Sequence, residues 1–265
     1  LAVLATTLAG AGLAATPARA QDYPARPVRM LVGFSAGGGV DALARMLAER
    51  LAKPLGQNVV VENKPGASST IAANTLMASA ADGYTVLLGD SSLLIAARAM
   101  QSVSFDPVKD FVPVAGVATA PLALAVGSGS PLKSLEDMAK TAKGGKPLNF
   151  ATSGIGTVHH LAMEHMQALA GIELTHLPYR GASALLPDLI SGTVDMGVLS
   201  AAAAMGQVKA GKIRVLGLTS PVQGTDWRAI SDWLPGFDAS PRLFVLAPTG
   251  TPAPVVARLE SELGK

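Results

Sequence analysis

Short apolar runs alternate with amphipathic stretches along most of the chain. The first such run, Val28 to Gly33, lies between Pro27 and a glycine-rich loop, which predicts a buried strand. We expect the amphipathic stretch after that loop to end at Pro54 and Gly56. Its apolar residues recur at helical spacing, at Val40, Leu43, Ala44, Leu47, Ala48 and Leu51. This spacing is typical of a helix that buries one face.

The same alternation continues in two series. Further strands are predicted over 58–61, 84–88, 122–126, 148–151, 174–177, 194–199 and 213–218. Helices are predicted over 71–80, 93–100, 135–142, 182–190 and 201–209, with one that ends at Ala170 and one that begins near Pro254. From Phe105 to Gly116 the pattern breaks, which indicates a crossing between two lobes. Strands separated by such helices predict an α/β protein with largely parallel sheets and a cleft between its lobes.

The beginning of the chain differs from the rest. An apolar run without acidic residues, Leu1 to Ala15, is followed by the small-x-small sequence Ala18-Arg19-Ala20. This arrangement predicts an export signal, lacking its basic start, that is cleaved before Gln21. The alternative is a membrane anchor, although the run is short for a span of about 20 residues. We therefore expect a mature protein that is soluble and lies outside the cytoplasm.

Composition excludes several classes of protein. The chain has 265 residues, of which 15% are charged and 49% hydrophobic, and it has no cysteine. These values exclude a disordered tail, a coiled coil, disulfides, thiolate catalysis and cysteine-bound metal clusters. The formal net charge of +2 is too small to indicate a nucleic-acid partner.

Two glycine-rich loops are the strongest candidates for binding elements. The first, from Gly33 to Asp41, can point several N–H groups to one place, and the following helix adds the positive end of its dipole. Such loops bind carboxylates and phosphates, although a tight turn without a ligand can have the same sequence. Asp41 either stabilises the helix start or contacts a ligand. The second loop, from Ser153 to Thr157, either binds the same anion from the other lobe or only caps its helix.

A dinucleotide site is an alternative interpretation of the first loop. Gly37, Gly39 and Ala42 fit the G-x-G-x-x-A pattern, and Glu62 ends the next strand, where an acid would contact a ribose. That pattern would predict an oxidoreductase. Two features argue against it. Residues 33–36 separate the strand from the first of these glycines, and an exported protein rarely meets a dinucleotide cofactor.

Catalytic and metal-binding motifs are sparse. The sequence has no G-x-S-x-G, Walker or H-E-x-x-H motif, and the spacing of His160 and His165 is poor for a shared metal. His159 follows the second loop and either reaches the cleft or packs against the other lobe. Tyr179 and Arg180 could point at a ligand, although an arginine in a loop is as often a surface charge. We therefore expect that the protein is not an enzyme and binds neither a metal nor a cofactor.

Several specific motifs occur in order along nearly the whole mature chain. They are Tyr23-Pro24-Ala25-Arg26-Pro27-Val28, the loop and helix start from Gly33 to Arg45, Val61-Glu62-Asn63-Lys64-Pro65-Gly66-Ala67, Asp82-Gly83-Tyr84-Thr85, Asp106 to Val114, Ala151 to Leu161, Pro178-Tyr179-Arg180-Gly181 and Gly192-Thr193-Val194-Asp195. Together they resemble the Bug family, the periplasmic solute-binding proteins of tripartite tricarboxylate transporters.

The resemblance implies a two-lobed periplasmic binding protein fold, type II-like, with a hinge and a ligand cleft between the lobes. It places the first lobe at 21–121 and 241–265, continuing further in relatives, and the second at 122–240. It also implies that backbone amides, hydroxyls and bridging waters hold the ligand carboxylates. Carried onto this sequence, it predicts as ligand-binding residues Phe34, Ser35, Ala36, Gly37, Gly38, Asp41 and Ser91 in the first lobe, and Ser153, Gly156, Thr157, His159, Tyr179, Gly181 and Asp195 in the second.

The function implied is that of a periplasmic receptor. It would capture a small organic carboxylate and deliver it to the membrane subunits of the transporter, acting as a monomer. An exported receptor that passes its ligand to a signalling partner is the alternative. Tricarboxylates, dicarboxylates, amino acids and aromatic acids all remain open as ligands.

Overall fold

The computed structural model describes residues 23–99 and 103–265, so the expected export signal lies outside the described residues. The strands within them are β1 (Val28–Val32), β2 (Val59–Asn63), β3 (Thr85–Asp90), β4 (Phe111–Thr119), β5 (Leu122–Gly127), β6 (Asn149–Thr152), β7 (Thr175–Pro178), β8 (Met196–Ser200), β9 (Ile213–Leu218) and β10 (Arg242–Pro248). The helices are α1 (Gly39–Leu55), α2 (Thr70–Met77), α3 (Ser91–Ala99), α4 (Leu135–Lys143), α5 (Val158–Ala170), α6 (Ala182–Ser191), α7 (Ala201–Lys209), α8 (Ile230–Trp233) and α9 (Ala253–Leu263). Most predicted elements are confirmed to within a few residues.

The strands form two mixed sheets of the same topology. The first has the order β2-β1-β3-β10-β4 and the second the order β7-β6-β8-β5-β9. In each sheet one strand runs against both of its neighbours, β10 in the first and β5 in the second. The expectation of largely parallel sheets holds for the four strands of each sheet that share one direction and fails for the fifth. Both exceptional strands enter their sheet directly from the other lobe, without the crossover helix that a parallel neighbour requires.

The segment predicted as the crossing between lobes is mostly a strand. Phe111–Thr119 forms β4 at the edge of the first sheet, paired with β10, and only Ala120 and Pro121 connect it to β5. Pro113 is tolerated there because an edge strand has one side without ladder hydrogen bonds, and the pairing shifts register beside it, between Val245 and Leu246. β4 was therefore not recognised as a strand from the sequence, because Pro113 interrupts its pattern.

The ends of α1 and α3 also refine the expected boundaries. Pro54 lies inside the last turn of α1, and Gly56 in the left-handed region (φ 67) ends the helix. Thus Pro54 does not end the helix. The described part of α3 ends at Ala99, and the expected end at Met100 lies outside the described residues.

Each sheet is buried on both faces, which explains the continuous apolar runs of its strands. In β1, Met30 and Val32 pack on the face covered by α1 and α9, while Leu31 packs on the face covered by α2 and α3. In β5, Leu124 and Ala125 divide in the same way between the two faces of the second sheet. This layering turns the N-termini of several helices toward the space between the sheets.

Two connections between the sheets lie side by side. The Ala120 N–H donates to the carbonyl of Pro241 at 2.9 Å, and the hydroxyl oxygens of Thr219 and Ser240 are 3.0 Å apart. Leu122 at the start of β5 donates its N–H to Thr219 at 2.9 Å. Two short connections bound in this way can act as a hinge, because few dihedral angles need to change for the lobes to move.

Candidate ligand-binding cleft

The loops of the two lobes touch each other across the cleft. The Ser35 hydroxyl in the first loop donates to the carbonyl of Arg180, and the Ser68 hydroxyl donates to the carbonyl of Ile155 in the second loop. Ser92 in α3 accepts a hydrogen bond from the Val158 N–H of α5 at 2.9 Å. The structure is therefore a closed form in which the lobes meet through hydroxyl and backbone groups.

Two glycines allow this close approach. A Cβ at Gly39 would lie 2.2 Å from the Ser200 Oγ of the opposite lobe. A Cβ at Gly181 would lie 2.8 Å from the Ser35 Oγ, and its φ of +117 also favours glycine. Any side chain at Gly39 would thus hold the lobes apart.

The N-termini of four helices meet at a small cavity between the loops. The cavity, of about 30 Å³, is lined by Phe34, Ser35, Gly38, Gly39, Val40, Ser153, His159, Ala182 and Ser200. Gly39, His159 and Ala182 begin or nearly begin α1, α5 and α6, and Ser200 caps α7 by accepting from the Ala203 N–H at 3.2 Å. No lysine or arginine is among these lining residues. Helix N-termini carry partial positive charge, so the site suits an anion without an ion pair.

His159 is the one residue of this lining whose side chain is both buried and titratable. It is 7% exposed, packs edge-on against Phe34, and its Nδ1 has no hydrogen-bond partner among the described residues. Burial lowers the pKa of His159 from 6.5 to about 4, so the ring is neutral at neutral pH. A buried polar atom without a partner is costly in a folded protein. Since Nδ1 is itself closed off from solvent in this form, it is a candidate partner only for a ligand that enters when the lobes separate.

Asp41 holds the first loop in place through hydrogen bonds. Its carboxylate accepts hydrogen bonds from the Gly37 N–H at 2.9 Å, from Arg45 at 3.0 Å and from the Asn63 amide at 2.9 Å. Burial by itself raises the pKa of Asp41, but the hydrogen bonds from Arg45, Gly37 and Asn63 outweigh it and hold the pKa below its ordinary value. These bonds give Asp41 a positioning role for the first loop.

Several polar groups of the second loop form hydrogen bonds within the loop and to the start of α5. Thr157 caps α5, accepting from the His160 N–H at 3.3 Å and donating to the Gly154 carbonyl at 2.8 Å. The Gly156 N–H donates to His160 Nδ1 at 3.2 Å. Of the predicted residues in this loop, only Ser153 lines the small cavity.

Three other predicted residues point elsewhere. Tyr179 donates its hydroxyl to Asp188 at 2.6 Å on its own lobe. Ser91 is bonded to the backbone of Arg242, whose N–H it accepts at 3.0 Å. Asp195 pairs with Asn149, accepting its N–H at 2.8 Å, at the end of β8 opposite to Ser200. The structure thus places Asp195 away from the cleft, and we do not assign it to the ligand site.

The predicted residues Phe34, Ser35, Gly38, Ser153 and His159 are brought together at the small cavity. Ala36 and Gly37 form the exposed turn of the first loop, outside that lining. The structure adds Gly39, Ser92, Ala182 and Ser200, which were not predicted as site residues. Ser200 could have been found, because it stands between a strand and a helix in the same way as the two loops.

The dinucleotide interpretation finds no support in the structure. Glu62, the candidate ribose acid, is held by Arg29 at 2.6 Å and by Lys64 at 2.7 Å. Among the described residues no group of three or more histidine, cysteine or acidic side chains could hold a metal ion. His160 and His176 instead stack with ring centroids 3.9 Å apart.

Comparison with known proteins identifies the family. The family described as TctC, tripartite tricarboxylate transporter family receptor, matches residues 43–265. The chain belongs to this family. It is also 35% identical to "Protein BugT" of Bordetella pertussis over 273 residues, which cover 100% of this chain and 83% of that protein. The resemblance to the Bug family is therefore confirmed.

Solved structures of TctC-like proteins share the fold. The R. palustris protein Rpa4515 with adipate is 32% identical, with a TM-score of 0.87, and the match covers 91% of this chain and 83% of that one. MatC from Rhodopseudomonas palustris with bound malate is 29% identical, with a TM-score of 0.84, covering 91% and 84%. The two-lobed α/β binding-protein fold is thus confirmed, as is the role of a substrate-binding receptor. The family is one of periplasmic receptors, and within the described residues no helix is both long and apolar enough to cross a membrane.

Proposed function

We propose that this receptor captures a small organic carboxylate between its lobes and delivers it to the membrane subunits of a tripartite tricarboxylate transporter. The observation that carries the proposal is the meeting of four helix N-termini at a cavity lined by His159, without a lysine or arginine in the lining. Amide and hydroxyl donors in this arrangement hold a carboxylate by hydrogen bonds and partial charges. The adipate and malate of the related structures support the same ligand class.

Capture depends on movement of the lobes. In the closed form the small cavity holds about 30 Å³, roughly the share of one water molecule in the liquid. A carboxylate therefore reaches the loops only when the lobes separate, and it is enclosed when they close. We place the lobes at 21–121 with 241–265 and at 122–240, with Ala120, Pro121 and Pro241 at the hinge. Sheet membership supports this division.

The remaining parts of the proposal follow from this role. The protein reaches the periplasm through the cleaved signal that ends at Ala20 and acts there as a monomer. It binds its ligand without changing it, and it uses no cofactor and no nucleic acid. Three serines and His159 line the small cavity, but Ser35 and Ser200 are bonded to backbone groups and not to the His159 ring, which supports a binding role.

A panel of carboxylates in a thermal-shift assay tests the proposal. Hexanoate, adipate, malate, citrate and benzoate are each compared with the corresponding neutral amide. At least one acid is expected to raise the melting temperature in a concentration-dependent way, while its amide does not, because only the charged group is held by the helix N-termini. Equal effects of acid and amide, or no effect of any acid, would contradict the proposal.

A further inference from the structure

A larger cavity lies between the loops and the hinge. It measures about 450 Å³ and is bounded by α1, α7 and the two connections between the sheets. We call it the hinge chamber. Apolar side chains make most of its wall, namely Val40, Leu43 and Met46 of α1, Met205 of α7, and Leu122, Val222 and Leu243.

The hinge chamber is continuous in its lining with the small cavity between the loops. Gly39, Val40, His159 and Ser200 belong to both. A ligand whose carboxylate is held at the helix N-termini therefore has its remaining atoms directed toward the chamber. The chamber can thus select the body of the ligand, while the loops hold its carboxylate.

The lining of the hinge chamber contains no lysine or arginine to balance a second negative charge. Its only charged side chain is the carboxylate of Asp90, which is 1% exposed and accepts the Ser92 N–H at 3.0 Å. The hinge side of the wall includes Pro121, Pro221 and Pro241, and proline has no N–H to donate. A second carboxylate on this side would lie near the Asp90 carboxyl and without a cationic partner, which is unfavourable.

We infer that the ligand is a monocarboxylate with an uncharged, largely apolar body, which occupies the hinge chamber. The inference rests on the proposed function, because the loops must hold the carboxylate for the body to reach the chamber. It separates this receptor from a protein that takes a dicarboxylate such as adipate. His159, at the boundary of the two cavities, supplies a neutral hydrogen-bonding group next to the held carboxylate.

Calorimetric titration with hexanoate and adipate tests the inference. The two acids have the same carbon chain and differ only in the second carboxylate. Hexanoate is expected to bind at least about tenfold more tightly than adipate. Equal binding, or tighter binding of adipate, would overturn the inference while leaving the proposed function intact. Binding of citrate or malate, but not of hexanoate, would also overturn the inference and leave the proposed function intact. If no acid in the panel binds, both the inference and the proposed function are overturned.

A charge placed in the chamber wall gives a second, independent test. Met46 lines the chamber and is 50% exposed, so Met46→Lys can be accommodated without burying the new charge. The ammonium would balance the second carboxylate, and we expect the preference for hexanoate over adipate to shrink by at least about threefold. The matched control is Met77→Lys, at a residue of α2 that is 38% exposed and lies outside the chamber lining. A preference unchanged in Met46→Lys, or changed equally in both variants, would contradict the placement of the ligand body in the chamber.

Discussion

At the scale of single residues, the ionisation of His159 links the ligand site to stability. The pKa of its imidazole is about 4 in the folded protein, where the ring is buried, and 6.5 when the ring is exposed. Between these pH values the unfolded chain therefore binds a proton more readily than the folded protein does. The stability from neutral His159 is fully present above pH 6.5 and is lost as the pH falls through about 4. His176 changes in the same direction, mainly because of burial.

We therefore expect His159→Asn to reduce the pH dependence of unfolding between pH 7 and pH 5. Asparagine keeps a polar side chain but does not titrate, so the part of the pH dependence due to His159 disappears, about 2 kcal/mol between pH 7 and pH 5 for this shift. Urea unfolding of both proteins at the two pH values measures the difference. A wild-type slope in the variant would show that His159 is not held neutral by burial.

The Asp90 carboxyl is expected to change stability with pH in the opposite direction to His159. Burial raises its pKa from 3.8 to about 6, against the lowering effect of Ser92, so its protonated form is favoured by folding. Its contribution to stability is present below pH 3.8 and is lost as the pH rises through about 6. Asp90→Asn is expected to make the rise in stability from pH 5 to pH 7 steeper, since Asn can still accept the Ser92 N–H. A shallower rise would contradict this.

Asp41 is expected to act on binding through the loop it supports. Asp41→Ala removes the acceptor of Gly37, Arg45 and Asn63, and should lower the free energy of unfolding by about 2 kcal/mol and weaken carboxylate binding. Glu62→Ala is the control, because it removes two exposed ion pairs, to Arg29 and Lys64, each worth about 0–1 kcal/mol. Unfolding by urea and titration of the best acid distinguish the two. Equal losses in both variants would argue against a positioning role for Asp41.

At the scale of secondary-structure elements, the approach of α1 to α7 decides whether the cleft can close. Gly39→Ala would place a Cβ 2.2 Å from Ser200 Oγ, and we expect at least a roughly tenfold loss of carboxylate affinity without a loss of stability. Gly206→Ala in α7 is the matched control, because its Cβ would meet nothing within 4 Å. Calorimetry of the two variants tests this.

A second substitution separates the steric effect from other causes. Ser200→Gly removes the opposing Oγ and Cβ, and a glycine cap costs the helix only a few tenths of a kcal/mol. The double variant Gly39→Ala/Ser200→Gly should bind more tightly than Gly39→Ala alone. Affinity that stays low in the double variant would show that Gly39 does not act through the approach to Ser200.

The elements themselves were largely predictable because each strand is a short apolar run and each helix has an apolar stripe. β10 was missed, and β4 was taken for a crossing, because both are recognised through their pairing with each other and Pro113 interrupts the pattern of β4. The two glycine loops were predicted from their position between a strand and a helix. Ser200 was not predicted, although it has the same position between a strand and a helix. The contacts that Ser92 and Ser200 make with the opposite lobe could not be predicted, because contacts between distant segments leave no local signal.

At the scale of the whole molecule, the two sheets and their paired connections form a body that can open and close around one site. The prediction of two lobes came from the alternation of strands and helices and its interruption from Phe105 to Gly116, whereas the residues of the site came mainly from the resemblance to the family. In the structure Asp41, Thr157 and Tyr179 form hydrogen bonds within their own lobe. Of the other predicted residues, Phe34, Ser35, Gly38, Ser153 and His159 line the small cavity. It also revealed the hinge chamber, whose wall is assembled from parts of the chain far apart in sequence.

Small-angle X-ray scattering with and without the tightest-binding carboxylate tests the central claim, which is capture by closure of the lobes. The radius of gyration of the wild-type protein is expected to fall when the acid is added, and to fall less in Gly39→Ala at a saturating concentration of the same acid. A scattering curve that does not change, under conditions where calorimetry shows full binding, would contradict capture between the lobes.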